Sequence, residues 1–254
     1  MPTSSICRAD IGYAVVTLAK FSKAPARSHY AALKRLATYL RRMIRWGIIH
    51  WRPKPLAHLP DVPYKLVGPD ASLPTVPMAT SYTDIVFYVD AAHGNVPTNM
   101  GSTTGCGATM CGGLIVCRSK SQPITAQNAC EAELVAANAA AKVAKYLRCV
   151  LQDLGFPQDQ PTVLWEDNDA TIKIVNNNRP TPRSRHVEIR YFGLQHWQQL
   201  KEIVLRHIPG IINPSDSLTK ALGSILHVRH ACFWMGHHGF FPGRPLSYPP
   251  TTPA

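Results

Sequence analysis

Four carboxylates in this 254-residue chain have the types and placement that could do chemistry. Asp90 lies in "FYVDAAHGN", Glu133 in "CEAELVAANAAAK", Asp167 closes "TVLWED", and Asp216 opens "DSLTKAL". Acidic oxygens gathered from several elements suit hard cations such as Mg²⁺, which takes oxygen ligands and keeps some positions for water and phosphate. Two such ions about 4 Å apart can activate a water and stabilise the leaving oxygen in phosphodiester hydrolysis. Taken singly, each acid reads better as a cap, a turn residue or a solvated charge. Only the four together point to a site.

The elements that must position them can be read from periodicity. "DIVFYVDAA" (84–92) has the apolar, β-branched and aromatic content of a central strand. "GCGATMCGGLIVCRSK" (105–120) reads as two strands around a turn at Gly112-Gly113. The Ala-rich run from about Gln127 to Asp153 is strongly helical. "TVLWED" (162–167) is a short buried strand, and 168–177 a helix leaving it. A longer helix over 186–202, a strand over 203–209 and a last helix opening at 214–222 complete the order β-β-β-α-β-α-α-β-α. Acids at the carboxyl ends of strands in such α/β arrangements are well placed to share a site. In the Ala-rich helix, Glu131 and Glu133 point about 200° apart, so only one can readily face the sheet. Glu133 shares its face with Ala136, Ala137, Ala140 and Ala144, small residues that let a helix pack close. Glu131 reads as an exposed first-turn acid favoured by the helix dipole.

Charge is distributed unevenly. Residues 1–54 hold 11 Lys/Arg and the single acid Asp10, while the other 200 residues hold 16 against 14. A basic N-terminal block fits a polyanion partner such as nucleic acid, or a solvated basic helix. Within it, 29–48 reads as an amphipathic helix capped by Ser28. Leu33, Leu36, Leu40 and Met43/Ile44 form its apolar stripe, and Lys34, Arg35, Arg41, Arg42 and Arg45 lie on other faces. Seven prolines over 53–80 make an extended linker, and 241–254 is expected to be disordered. Seven widely spaced cysteines form no CxxC pair, which fits reduced thiols in a cytoplasmic or nuclear compartment. No signal peptide and no apolar run approaching a membrane span is present, so no membrane partner is expected.

From Asp84 to about Gly239 the chain resembles the RNase H domain of Ty1/copia-type retrotransposon polyproteins. Six motifs carry the resemblance in order: "YVDAAHGN", "STTGCG", "CEAELVAANAAAKVAKYLRCVLQDLG", "EDNDATIKI", "RSRHVEIRYFGL" and "NPSDSLTKAL". The N-terminal "CRADIGYAVVTLAKFSKAPARSHYAALKRLATYLR" resembles the segment joining reverse transcriptase to RNase H in the same polyproteins. The resemblance implies an α/β RNase H-like fold, with a mixed five-stranded sheet flanked by helices and preceded by a short basic helical segment. It implies four regions: a basic segment 1–52, a Pro-rich linker 53–82, an RNase H-like domain 83–240 and a tail 241–254. The activity implied is hydrolysis of the RNA strand of an RNA–DNA hybrid, with Asp90, Glu133, Asp167 and Asp216 holding two Mg²⁺ ions, Mn²⁺ being an alternative. The partners implied are the hybrid and the reverse transcriptase portion of a parent polyprotein, of which this chain would be a C-terminal piece.

Further residues are open to two readings each. His186 matches the family motif at a helix start, where Ser184 could cap. It could act in catalysis, orient the helix or contact a phosphate. His207, nine residues before Asp216, falls in a strand rather than on the mobile loop that carries a His in many such enzymes. Arg183, Arg185 and Arg190, like Lys34, Arg35, Arg41 and Arg42, could contact phosphates or form solvated faces. His93 reads as a loop residue. His227, His230, Cys232, His237 and His238 lack the paired spacing of a zinc site. The rival functions are a catalytically weak nucleic-acid-binding remnant and, less well matched, an integrase-like nuclease, which needs a Glu in place of Asp216.

Overall fold

The computed structural model describes residues 8–44, 46–50, 76–79, 81, 83–96, 100–176 and 188–236, with side chains from 192 onward in the last stretch. Most of the 53–82 region, the 241–254 tail, Arg45, Arg183, Ser184, Arg185, His186, His237 and His238 lie outside these residues, as does the side chain of Arg190.

The apolar run expected as a strand forms β1 (Val86–Val96), and its side chains alternate between two cores. Phe87, Val89 and Ala91 face one core and Val86 and Tyr88 the other, as the two-residue period of a strand requires. β1 runs further than expected, and His93 lies within it rather than in a loop. β2 (Gly101–Met110) and β3 (Gly113–Ser121) form the expected hairpin, but its turn is one residue earlier than the sequence suggests. Met110 pairs with Gly113, which leaves Cys111 (φ 53°) and Gly112 (φ 73°) as the turn residues. Two left-handed residues match the twist of the flanking strands, and this outweighs the cost of positive φ at a cysteine.

β4 (Thr162–Glu166) and β5 (Ile203–His207) complete one sheet in the order β3-β2-β1-β4-β5. The first three strands pair antiparallel, while β1 with β4 and β4 with β5 pair parallel. This is the expected α/β architecture, a mixed five-stranded sheet flanked by helices.

One face is covered by a helix, α3 (Ala129–Asp153), whose Ala132, Ala136, Ala137, Ala140, Ala141 and Ala144 are all fully buried. Six methyl side chains in one stripe bring the helix axis close to the strands without leaving voids. Two further helices, α4 (Asp169–Asn176) and α5 (Glu188–Gln199), pack beside it. The opposite face carries the short α6 (Asp216–Thr219) and α7 (Ser224–Trp234). The single last helix expected from 214 is thus one turn followed by a separate helix. Its Phe233 and Trp234 meet Tyr88 edge-to-face at 5.0 and 5.6 Å.

The N-terminal segment packs on this second face. It comprises a 3₁₀ turn (Ala9–Ile11), α1 (Gly12–Ala19) and α2 (Arg27–Arg42). Buried Asp10 takes a two-pronged ion pair from Arg8 and a 2.8 Å hydrogen bond from the Tyr39 hydroxyl, which ties the turn to α2. Met43 and Trp46 are buried against Ala231 and Cys232 of α7, and Ile49 N–H donates to Met235 O at 2.9 Å. The chain passes so close to Gly236 (φ 72°) that any Cβ there would overlap the Ile49 carbonyl. Ser28 does not cap α2. The helix starts two residues earlier than expected, with Ala26 as N-cap, and the Ala26 N–H donates to His29 Nδ1. The apolar stripe read over 29–48 is only partly covered. Met43 is buried, but Leu33 and Ile44 are exposed.

Candidate active site where β1 and β4 part

The parallel pairing of β1 with β4 ends at Tyr88 and Trp165. Asp90 and Asp167 each follow two residues beyond that last pair. Both acids therefore emerge side by side where the parallel pairing stops, Asp167 just past the end of β4 and Asp90 midway along β1. Glu133 reaches the same place from the first turns of α3 and accepts the Ala91 N–H. Carboxylate oxygens of Asp90, Glu133 and Asp167 lie within 4.8 Å of one another.

Asp216 approaches from the other face of the sheet, and five hydrogen bonds place it there. Buried Asn213 donates its side-chain amide to Val89 O at 2.8 Å and accepts the Ser215 N–H, which pins the loop to β1 one residue before Asp90. Trp234 Nε1 donates to Pro214 O at 3.1 Å. Thr219 Oγ1 donates to Asp90 Oδ2, and Asn95 Nδ2 donates to Thr219 O at 3.0 Å. Gly105, the β2 partner of Asp90, is what allows this approach. A Cβ there would strike Thr219 and come within 3.0 Å of Leu218 and Ser215. Asp216 itself is not in the 4.8 Å group. Lys220 stands between, its ammonium 2.7 Å from Asp216 Oδ1 and 3.6 Å from Asp90 Oδ1.

Two buried acids behave differently from the sequence reading. Glu131 is not an exposed first-turn acid. It is buried, its carboxylate accepts the Gln127 N–H at 2.8 Å, and its own N–H goes to the Asn128 cap at 2.9 Å. The turn before α3 folds back over it, so it closes the helix start and takes no part in the acid group. Glu166, which the sequence reading left as a strand residue, is fully buried beside Glu133 and Asp167. Its Oε1 accepts the Asn168 N–H at 3.1 Å. Glu166 Oε2 and Glu133 Oε2 have no hydrogen-bond partner among the described residues.

The electrostatics follow from this crowding. Burial, with Asp90 and Asp167 adding to it, holds the Glu133 carboxyl well above the ordinary range. Glu166 is raised by burial and then by Glu133. Asp167 and Asp216 are raised by burial and by Asp90, with Lys220 pulling both the other way. Burial works against the Lys220 charge, but Asp90 and Asp216 outweigh it and raise its pKa. Five acids facing one ammonium leave an excess of negative charge in a poorly solvated place. Orphaned buried carboxylate oxygens are costly unless a cation satisfies them. An all-oxygen donor set fits a hard divalent ion, so these residues fit Mg²⁺ or Mn²⁺.

Of the other candidates, His207 ends β5 and lies 3.8 Å from Asp169 at the rim, exposed. His227, His230 and Cys232 sit on α7 and gather no metal-binding group among the described residues. Lys34, Arg35 and Arg42 line an open groove of about 510 Å³ between α2 and α7, together with Ser224 and His227, and Arg41 is exposed on the same helix. Among the described residues, no helix is long and apolar enough to cross a membrane. Lys220, Glu166 and Asn213 were missed from sequence. For Lys220 the available signal was its position four residues after Asp216, which brings the two together on one helical turn.

No protein-family model matches the chain. It is 28% identical over 215 residues to the retrovirus-related Pol polyprotein from transposon TNT 1-94 of Nicotiana tabacum, covering 85% of this chain and 14% of that protein. This similarity agrees with the resemblance carried by the six motifs. Among solved structures the chain is similar to LC11-RNase H1, isolated from compost, at 16% identity and a TM-score of 0.43, over 54% of this chain and 93% of that one. A structure of LC11-RNase H1 in complex with an RNA/DNA hybrid matches at 16% identity and a TM-score of 0.42, over 54% and 94%. RNase H1 from Halobacterium salinarum matches at 20% identity and a TM-score of 0.38, over 54% and 94%.

Proposed function

We propose that this chain is a Mg²⁺-dependent endonuclease that hydrolyses the RNA strand of RNA–DNA hybrids, as the RNase H part of a Ty1/copia-type polyprotein. The observation that supports this reading is the grouping of Asp90, Glu133 and Asp167 within 4.8 Å of one another, with Asp216 linked to Asp90 through Lys220. Two divalent ions held by these carboxylates would supply the activated water and the stabilised leaving oxygen. The chain's own residues do the positioning. Asp90 stands between the group on the α3 side and Asp216 on the other, and so belongs to both halves of the site. Asn213 and Gly105 set how close Asp216 comes. The excess of buried acid charge makes the site dependent on cations.

The basic groove of Lys34, Arg35 and Arg42, with Arg41 beside it, would follow the phosphate backbone of the hybrid. Arg183, Arg185 and Arg190 are proposed phosphate contacts, and His186 a catalytic or phosphate-contacting residue, on the family resemblance of their motif alone. The 2′-hydroxyl is what separates the RNA strand from the DNA strand at such a site. The reverse transcriptase portion of the polyprotein is the proposed partner that delivers the hybrid.

The test is a variant series on a hybrid substrate with Mg²⁺. Asp90→Asn, Glu133→Gln, Asp167→Asn and Asp216→Asn are each expected to lower the cleavage rate at least ~100-fold, the scale of losing a metal or charge-stabilising group. Any of the four retaining wild-type activity would remove that residue from the site.

A further inference from the structure

We propose that Lys220 is a tethered counter-cation of this site: its ammonium holds the position between Asp90 and Asp216, and a divalent ion bridging those two carboxylates has to displace it. The inference rests on the reading that the carboxylates bind divalent ions. It adds that the two ion positions are unequal.

Asp90 faces two neighbourhoods of opposite character. On one side Glu133 and Asp167 bring oxygens within 4.8 Å, and the orphaned oxygens of Glu133 and Glu166 stand nearby with no hydrogen-bond partner among the described residues. On the other side Lys220 already supplies a positive charge, 2.7 Å from Asp216 and 3.6 Å from Asp90. An ion on the first side meets Glu133 and Asp167, which Lys220 influences only through space, without an ion pair. An ion on the second side must compete with a covalently attached ammonium whose effective concentration is fixed by its stem.

The local structure allows that exchange without unfolding. The backbone at Thr219 is held by Asn95 Nδ2, and the Thr219 hydroxyl is held by Asp90, so the chain just before Lys220 stays in place. The Lys220 side chain is 42% exposed. Its four-carbon stem can swing toward solvent while α6 remains docked. The expected sequence is a first ion at Asp90, Glu133 and Asp167, then a second that binds only as Lys220 leaves Asp216.

Mn²⁺ titration of the full chain without nucleic acid, read by the paramagnetic signal of free Mn²⁺ and by calorimetry, tests this directly. Wild type is expected to bind one ion, and a second at least ~10-fold more weakly. In Lys220→Met the second ion should tighten by about 10-fold or more, because a charge at contact distance of two ligands has been removed. Lys220→Arg, which keeps the charge, should retain the weak second ion. Second-ion affinity that is unchanged or weaker in Lys220→Met overturns the proposal. Asp90→Asn separates the two levels of inference. If wild type binds no Mn²⁺, or Asp90→Asn binds it as wild type does, the carboxylate-cation reading fails as well. If Asp90→Asn loses ions while Lys220→Met matches wild type, only the role of Lys220 fails.

Discussion

Replacing Glu133 by Gln should stabilise the metal-free protein while destroying its metal response. Glu133 is buried among acids and has one oxygen without a partner among the described residues, so its carboxyl stays protonated at pH values where an exposed one is charged. Holding that proton at pH 7, against an unfolded value near 4.3, costs about 3.7 kcal/mol at roughly 1.4 kcal/mol per pH unit. Unmet N–H donors of the new amide return part of this. The net gain should be about 2 kcal/mol, a rise in melting temperature of roughly 4–8 °C. The sign is set by linkage. A carboxyl raised on folding makes the native state bind more protons than the unfolded state, so wild-type stability falls as pH rises above the unfolded value. The advantage of Glu133→Gln should therefore be absent below about pH 4, where both states of wild type are protonated, and grow with rising pH through neutrality toward about 9. Mg²⁺ should reverse the order by raising the wild-type melting temperature and leaving the variant unmoved. Thermal unfolding in EDTA and in Mg²⁺ across pH 4–7.5 measures all of this. A variant less stable than wild type in EDTA at pH 7, or an advantage that grows on acidification, would refute the reasoning.

Two further outcomes follow from the N-terminal segment. Deleting residues 1–50 should do more than weaken nucleic-acid binding, since it uncovers α7 and removes buried Met43 and Trp46, each worth about 2 kcal/mol of burial. Chemical denaturation of the truncated chain should show a much lower midpoint, and an unchanged one would mean that the segment is an independent unit. Neutralising the groove with Lys34→Gln, Arg35→Gln and Arg42→Gln together should leave the melting temperature within about 2 °C, because these side chains are exposed or nearly so. It should flatten the dependence of log affinity for a hybrid on log salt by about 2–3. An unchanged slope would place the phosphates elsewhere.

Much of the architecture was legible because period-two strands and an alanine stripe leave local marks. The spacing of Glu133 with Ala136, Ala137, Ala140 and Ala144 alone selects it over Glu131. The fate of Glu131 was not legible, since burial there depends on a turn that folds back onto the helix start. α7 carried no clear pattern: Phe233 and Trp234 meet Tyr88, which lies nearly 150 residues earlier, and its histidines draw the eye toward metal chemistry instead. The docking of Met43 and Trp46 on Ala231 and Cys232 is likewise a contact between distant stretches. Glu166 was hidden by its neighbour, because a carboxylate at a strand end and one inside the strand look alike until their burial is known. Lys220 was visible as the i+4 partner of Asp216, but its reach to Asp90 depends on Gly105 admitting α6 to the sheet.

The central claim is that these carboxylates cut the RNA strand of a hybrid, and strand-resolved cleavage tests it most directly. A duplex with differently labelled RNA and DNA strands is incubated with the full chain in Mg²⁺ or in EDTA, alongside Asp90→Asn. The account predicts internal cuts in the RNA strand alone, in Mg²⁺ alone, and none from Asp90→Asn. Cutting of the DNA strand, cutting in EDTA, or equal cutting by Asp90→Asn would contradict it.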